Sequence, residues 1–426
     1  MPSRLPGGAP VLDVLPLIDR TRPLIDNAAE TAADLVRGSA RLLPEDGLSS
    51  LLTRTLNRPL RVKFGIDPSG SELTLGHAVV LRKLRQFQDR GHTAVLVIGD
   101  FTATIGDPTG RSAARRPLTL DETTRNAQTY LEQASQVLTQ ERLEVRWNSQ
   151  WLADLGLHQV LAQARHLTVA QMLERDDFAS RYARHHPIAL SEFFYPLLQG
   201  IDSVAIHADV ELGGSDQLFN LTVGRDLQRA AGQTPQVVLT MPLLVGLDGI
   251  RKMSKSLNNY VALTEPAAEQ FGKLMSVPDA AAHHYALLCT DASDAELRTT
   301  DADIAAGGAR AASAKRRLAR TIVSLYHGPA AAHRAETDFD HRVRDRGVPH
   351  NAPSFTLPPT DSVHLPALLV EARLCSTRSQ ARRLLDQGAV RLDGEQLPAG
   401  LYDQPRSQLA GRVIQVGRRT AAHLTA

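Results

Sequence analysis

From Leu60 to Arg90 the chain passes through three segments that together restrict its fold more than any other stretch. Leu60 to Phe64 reads as a short buried strand, Asp67-Pro68-Ser69-Gly70 as a turn, and Leu75 to about Arg90 as an amphipathic helix. A strand that runs through a polar turn into a helix N-terminus gathers unpaired backbone N–H groups at one point, which suits an anion. Ala94-Val95-Leu96-Val97-Ile98 follows as a continuous apolar run, the pattern of a parallel strand covered on both faces. Val204-Ala205-Ile206 and Val237-Val238-Leu239 look similar. Strands separated by helical stretches predict an α/β fold with a doubly wound sheet, whose ligands sit at the carboxyl ends of the strands.

A second segment lies far downstream. Lys252-Met253-Ser254-Lys255-Ser256 follows the glycine-containing turn Leu247-Asp248-Gly249-Ile250. Two ammonium groups and two hydroxyls on one short loop suit a polyanion such as a triphosphate. Lysine is scarce here: six residues, Lys63, Lys83, Lys252, Lys255, Lys273 and Lys315, among 48 Lys plus Arg. Finding two of the six three positions apart favours a selected loop over a merely solvated one, because lysine and arginine are not interchangeable at a phosphate. Upstream, Gly76 lets a ligand lie against the backbone and His77 projects from the first helical turn. Alone, a histidine at a helix start is more often structural. Paired with the lysine loop it points to nucleotide chemistry.

With both segments in view, the chain resembles the class I aminoacyl-tRNA synthetases, and among them the bacterial tyrosyl-tRNA synthetases. Thr74-Leu75-Gly76-His77 is similar to the first signature of that class, and Lys252 to Ser256 to the second without a mismatch. Gly99 to Pro108, Tyr195 to Asp202 and Gly213-Gly214-Ser215-Asp216-Gln217 carry the tyrosyl resemblance. The similarity spans Leu60 to Val261 and resumes at the C-terminus. Thr74 stands where the family usually has histidine; its hydroxyl can donate to a phosphate oxygen but carries no charge. Lys63 stands where one branch of the family has a tyrosine beside the substrate phenol, and matches the other branch.

The resemblance implies a reaction. The carboxylate of L-tyrosine attacks the α-phosphorus of ATP, which brings Mg2+ with it, and the acyl group then passes to the terminal ribose of tRNA(Tyr). A carboxylate is already a nucleophile, so positioning and charge placement supply catalysis, with no covalent residue or tightly bound cofactor. By resemblance, His77, Thr74 and Ser69 line the phosphates from one side, and Lys252, Lys255 and Ser256 close from the other. Gly76, Gly213, Gly214, Asp216 and Gln217 form the adenosine wall. A glycine pair by itself is usually only a turn. Tyr195, Gln199 and Asp202 fall at i, i+4 and i+7 of a helix, an odd stripe for a core and an ordinary one for an exposed face. The family assigns Tyr195, Gln199 and Asp107 to the α-ammonium and Asp202 to the phenol, with Lys63, Gly65, Asp67 and Thr102 completing the pocket. Phenylalanine would leave a buried carboxylate unpaired.

The whole chain fits this outline. Its 426 residues predict two or three domains, and 42% hydrophobic with 22% charged residues is ordinary for a globular protein. A net charge of +2 excludes a uniformly basic nucleic-acid coat. His364 to Ala426, however, holds nine arginines, no lysine and five acids, so the tail is +4 and the rest −2. Cys289 and Cys375 are expected as buried free thiols. No run reaches membrane-spanning length and no apolar signal core opens the chain, which predicts a cytoplasmic protein with no membrane partner. His185-His186 and His283-His284 read as surface residues, and no metal site is predicted.

The expected organisation is a Rossmann-like catalytic domain over 1–262, Val11 to Leu56 being mostly helix. Thr119 to Phe194 reads as a helical insertion poor in strand signal that, by resemblance, makes a homodimer interface. A helical tRNA-binding domain is expected over 263–346, and a proline-rich linker over 347–362. Over 363–426 the chain resembles the S4 RNA-binding module, an α+β unit. There Leu365, Leu368, Leu369 and Ala372 form an apolar stripe, and Arg378, Arg382 and Arg383 lie on adjacent turns as candidate tRNA contacts. Met1 to Pro10, with three prolines and two glycines, is expected to be disordered.

Three other readings remain. One is a relative of the same fold that serves another aromatic amino acid or a biosynthetic pathway. Another is an RNA-binding protein without catalysis, against which Lys252, Lys255, His77 and Asp216 argue. The last is a nucleotidyltransferase that never meets RNA, against which the C-terminal module argues.

Overall fold

A computed structural model describes residues 27–55, 58–109, 118–343, 352–417 and 420–425. The expectation for Met1 to Pro10 and the first part of the expected linker lie outside these residues. The chain divides into two compact units, one holding the chain up to Ser71 and Val80–Pro242, the other Glu72–Val79 and Leu243 onward.

The first unit is built on a six-stranded sheet. Its strands are β1 (Arg41–Leu43), β2 (Arg61–Ile66), β3 (Thr93–Ile98), β4 (Leu143–Trp147), β5 (Val210–Gly214) and β6 (Val237–Met241), in the spatial order β1-β6-β5-β2-β3-β4. All neighbours are parallel except β1, which pairs antiparallel with β6. The order switches direction at β2, flanked by β3 on one side and β5 on the other. The crevice beyond the carboxyl ends at such a switch is where ligands bind in this architecture. Strand residues Val62, Leu96, Val97, Val210 and Leu239 are buried. The doubly wound α/β expectation therefore holds.

One local expectation needs correction, and two stand with a short strand added. β4 lies inside Thr119 to Phe194, which was expected to be poor in strand; all five of its residues are only partly buried, so an edge strand left no continuous apolar run. Val204-Ala205-Ile206 is not a strand but the end of the Leu190–Ala205 helix and its cap. The strand follows at Val210–Gly214, where Glu211 interrupts the apolar run. Between Val11 and Leu56 the described part holds β1 as well as the helices Ala28–Val36 and Gly47–Arg54.

In the second unit, helices Ala267–Ser276, Ala282–Cys289, Asp294–Ala306, Gly308–His327 and Pro329–Val343 form the expected helical region. Farther on, a five-stranded sheet gathers Ser354–Thr356, Val390–Leu392, Glu395–Gln396, Val413–Val416 and Thr420–Thr425. Ser354–Thr356 pairs with Thr420–Thr425, so part of the expected linker is a strand. Helices Leu365–Glu371 and Arg378–Asp386 bury Leu365, Leu368, Leu369, Ala381 and Leu385 in one core with Val390, Leu392 and Ile414. Cys289 and Cys375 are free and buried.

Candidate functional site

Two clusters carry the predicted residues, one in each unit. In the first unit, Asp67 follows the last residue of β2. Its carboxylate accepts from the Thr102 hydroxyl (2.8 Å) and the Tyr195 hydroxyl (3.0 Å). Gly99, after β3, makes this approach feasible: a Cβ there would lie 2.1 Å from Asp67 Oδ1 and 2.4 Å from Thr102 Oγ1. Part of Asp67 reaches the surface, yet loss of hydration around its carboxyl raises its pKa to about 7, against hydrogen bonds from Thr102 and Tyr195 that favour the charge. Burial likewise pushes the Tyr195 phenol well above its usual range.

Asp202 sits two turns along the same helix and is 4% exposed. It accepts from Trp151 Nε1 (2.8 Å) and Asn148 Nδ2 (3.3 Å), and Asn148 Nδ2 also donates to Thr102 Oγ1 (3.0 Å). Burial raises its pKa to about 6, while the nearby Lys63 charge and these hydrogen bonds pull it down. Asp67, Thr102, Asn148, Asp202 and Trp151 thus form one connected polar wall. At Gly65, no protein atom comes within 4 Å of where a Cβ would stand, so the strand is bare there.

Lys63 does not join this wall. It is fully buried, and its ammonium donates to the Gln199 carbonyl (2.9 Å), Ser203 Oγ (2.7 Å) and Glu211 Oε1 (2.8 Å). All three ammonium hydrogens are thereby used. Lys63 and Glu211 are register partners on β2 and β5, so the pair bridges the switch in strand order and grips the Leu190–Ala205 helix from beneath. Through these bonds Lys63 supports the helix that carries Tyr195 and Asp202. Gln199 leans the same way, its side chain 3.4 Å from Glu211 Oε1.

Asp107 and Gln217 are brought together, Gln217 Nε2 donating to Asp107 Oδ2 at 2.8 Å. Gly213 and Gly214 end β5, and Ser215–Gln217 forms a single 3-10 turn before the Leu218–Ala230 helix. A Cβ at Gly213 would press on Gln217 Cβ and Leu221 Cδ1 at 3.1 Å each. Asp216 lies in that turn, half-buried. Ser69 closes the turn after β2, its N–H donating to the Asp67 carbonyl (2.7 Å).

In the second unit, Thr74 is buried, and both its N–H (3.1 Å) and its hydroxyl (2.8 Å) meet His77 Nδ1. A backbone N–H can only donate, so Nδ1 is the acceptor and the neutral ring carries its proton on Nε2. Burial, then the charge of Lys255, lowers the His77 pKa to about 4. Thr74 thus fixes the tautomer of His77. Gly76 adjoins the pair, with only ordinary contacts around its would-be Cβ.

The lysine loop is clasped by Asn259, which is buried. Its Nδ2 donates to the Lys252 carbonyl and to Asp248 Oδ2 (3.1 Å each), and its Oδ1 accepts from the Ser254 N–H (2.8 Å). Asp248 in turn accepts from the N–H groups of Ile250 and Arg251 (3.0 Å each). The Ile250 N–H bond is the main reason its pKa falls to about 2. Lys255 Nζ donates to the Glu72 carbonyl (2.8 Å), and the Ser254 and Ser256 hydroxyls lie 2.8 Å apart. Lys252 is exposed.

Sequence reasoning missed Asn148, Trp151, Ser203, Glu211, Arg175, Thr109 and Asn220. Asn148 directly follows the overlooked β4. A glutamate on the strand beside a buried lysine was the one available signal for the Lys63–Glu211 pair. In the C-terminal sheet-and-helix unit, Arg378 and Arg383 belong to the Arg378–Asp386 helix, and Arg382 stacks on the Tyr402 ring at 5.8 Å. Among the described residues no group of three His, Cys, Asp or Glu could hold a metal ion, and no helix is long and apolar enough to cross a membrane.

Comparison with known proteins identifies the family. The family model for tRNA synthetases class I (W and Y) matches residues 55–343, and the S4 domain model matches residues 364–397. The tyrosine–tRNA ligase of Moorella thermoacetica is 48% identical over 392 residues, covering 92% of this chain and 94% of that protein. That of Geobacter sulfurreducens is 46% identical over 402 residues, covering 94% and 99%. Among solved structures, tyrosyl-tRNA synthetase from Archaeoglobus fulgidus, complexed with L-tyrosine, superposes with a TM-score of 0.59 at 22% identity. It covers 72% of this chain and 99% of that one, and shows the fold alone. A C-terminally truncated mitochondrial tyrosyl-tRNA synthetase from Coccidioides posadasii gives the same score and identity over 74% and 92%. With a family model spanning most of its length and relatives near half-identical over more than nine-tenths of it, the chain belongs to the class I tRNA synthetases of the tryptophan and tyrosine group.

Proposed function

We infer that this chain works as a tyrosine–tRNA ligase, activating L-tyrosine with ATP and passing the tyrosyl group to tRNA(Tyr). The observation that carries the reading is the buried carboxylate of Asp202, held by Trp151 and Asn148 at the end of a polar wall. A carboxylate kept out of water is costly unless a ligand completes it, and a phenol hydroxyl would. The relatives named above, at 46% and 48% identity, support the same substrate.

In this proposal Asp202 accepts from the phenol, while Asp107, Tyr195 and Gln199 meet the α-ammonium, with Gly65, Asp67 and Thr102 completing the pocket. Ser69, Thr74, Gly76, His77, Lys252, Lys255 and Ser256 serve the phosphates of ATP, whose Mg2+ arrives as part of the substrate. Gly213, Gly214, Asp216 and Gln217 serve the adenosine. Catalysis comes from donors placed where charge develops on the pentacovalent phosphate and the leaving pyrophosphate.

A homodimer belongs to the same proposal. Leu157, Leu161, Val169, Tyr182 and Leu190 are all at least 55% exposed, five large apolar side chains within one short insertion; a second copy would cover them. Arg378, Arg382 and Arg383 are assigned to tRNA phosphates. The proposed domains are 1–262 for catalysis, 263–346 for tRNA, 347–362 as a connection whose Ser354–Thr356 strand joins the C-terminal sheet, and 363–426 as the S4-like grip. The proposed location is the cytoplasm.

The test is exchange of pyrophosphate into ATP with tyrosine, phenylalanine, tryptophan or no amino acid. Tyrosine alone should drive it; exchange driven as well by tryptophan would overturn the substrate assignment. Deleting the chain from Val363 onward should then spare exchange, impair tRNA charging and flatten the salt dependence of tRNA binding. Equal loss of exchange and charging would place the tail in the catalytic fold.

A further inference from the structure

One side chain from the helical insertion reaches the amino-acid site, and neither motif nor spacing marks it. Arg175 stands just before the Asp176–Ala183 helix and is 5% exposed. Its guanidinium is anchored on Asp177 (2.9 and 3.2 Å) and lies over the rings of Phe178 (4.8 Å) and Phe219 (5.6 Å). Two donors remain. One goes to Thr109 Oγ1 (3.0 Å), and the Thr109 hydroxyl donates onward to Asp107 Oδ1 (2.6 Å). The other goes to Asn220 Oδ1 (2.9 Å), Asn220 Nδ2 donates to Gln217 Oε1 (2.9 Å), and Gln217 Nε2 donates to Asp107 Oδ2 (2.8 Å).

Both chains of donors start at Arg175 and end on Asp107, one on each oxygen. Every link runs in the same sense, from the cation toward the carboxylate, so each bond polarises the next. A rigid fork with several fixed donors can hold both branches at once; a lysine in its place could not.

We propose that Arg175 is a positioning residue for the amino group of tyrosine, acting through Thr109 and Asn220 to orient the Asp107 carboxylate. This rests on the reading that Asp107 meets the α-ammonium. The carboxylate is then held in one orientation before substrate arrives, and the amino group binds without having to order it.

The experiment compares tyrosine with 3-(4-hydroxyphenyl)propionate, the same molecule without its amino group. Arg175→Met and Thr109→Val should each raise the tyrosine KM in pyrophosphate exchange by roughly tenfold, the worth of a hydrogen bond to a charged group. The inhibition constant of the deaminated compound should not move. Thr109→Ser should restore the parent KM, and the double variant should be little worse than Arg175→Met alone, because Thr109→Val cuts one of the two chains that Arg175→Met already cuts. An unchanged tyrosine KM, or equal weakening of both compounds, overturns the proposal. Should Arg175→Met fail to fold, Thr109→Val and Thr109→Ser decide it. Asp107→Asn separates the two levels. If it weakens both compounds alike, the ammonium assignment itself falls. If it weakens tyrosine alone while the other variants leave the KM unchanged, only the role of Arg175 falls.

Discussion

The wall around Asp67 and Asp202 and the loop around Lys255 are built in opposite ways, and the roles proposed for them make opposite demands. The wall is inside. Its carboxylates are largely stripped of water and shifted to about 7 and about 6, and their hydrogen-bond partners are side chains on the short helices that follow β3 and β4 and on the Leu190–Ala205 helix. The loop is at the surface. Its lysines are exposed or half-buried, and Lys255 rests on a backbone carbonyl. Selecting one amino acid calls for partners that cannot rearrange, since a wrong side chain is rejected only if the groups it fails to satisfy stay unsatisfied. Stabilising a leaving pyrophosphate calls for charge that gains its partner only as the reaction proceeds. The two clusters should therefore fail differently.

The largest expected effect is on the loop side. Lys255→Ala should lower kcat for exchange by roughly 10²–10³-fold, the usual cost of losing one donor aimed at developing charge. The tyrosine KM should hardly change. Were kcat to survive and only the tyrosine KM rise, the division between selection and catalysis would be broken, with Lys255 on the selecting side.

A smaller effect is expected on the wall side. Asp202→Asn should reduce the preference for tyrosine over phenylalanine by about 10- to 100-fold, the span of a hydrogen bond to a charged acceptor. The kcat with tyrosine should fall far less. Competition assays with both amino acids measure this directly. Full selectivity in the variant would move the phenol partner elsewhere and leave the wall without its assigned purpose.

How much of each region was legible follows from the same contrast. The loop stands out because the function proposed for it resides in a contiguous run, Lys252 to Ser256, and local chemistry needs no fold to be read. The turn at Asp67 to Gly70 and the apolar stripe at Leu365, Leu368 and Leu369 were equally local, and both stand where the spacing put them. The wall was legible only in part. Tyr195 and Asp202 share a helix face, so their spacing revealed them, but Asn148 and Trp151 follow an edge strand whose half-buried residues alternate too weakly to show. The surroundings of Lys63 were hidden for a related reason. A lysine in a strand looks like a ligand-binding group until its register partner, Glu211, 148 positions away, is known to neutralise it. Long-range pairing of charges is set by sheet order, and sheet order is absent from local pattern.

The smallest effect sharpens the comparison from the side of stability. Asp202 has its pKa raised from 3.8 to about 6 by burial, so the folded protein holds that proton more tightly than the unfolded chain does. Between about pH 4 and 6 the folded state therefore binds more protons, and stability must fall as pH rises through that window. Above pH 6 the ionised group costs on the order of 3 kcal/mol relative to an unshifted carboxyl. Asp202→Asn removes this penalty, though its amide nitrogen then faces the Asn148 amide, which offsets part of the gain. Denaturant unfolding at pH 5 and pH 8 should show the variant more stable than the parent at pH 8 by about 1 kcal/mol or more, with the difference shrinking toward pH 5. A variant less stable than its parent at pH 8 would mean that Trp151 and Asn148 already satisfy the carboxylate, so that the wall is ordinary core. A variant that is more stable and less selective would mean that the first unit keeps an unfavourable charge for recognition. The lysine loop carries no such burden: Asp248, its one shifted carboxylate, is stabilised in the charged form by backbone N–H groups.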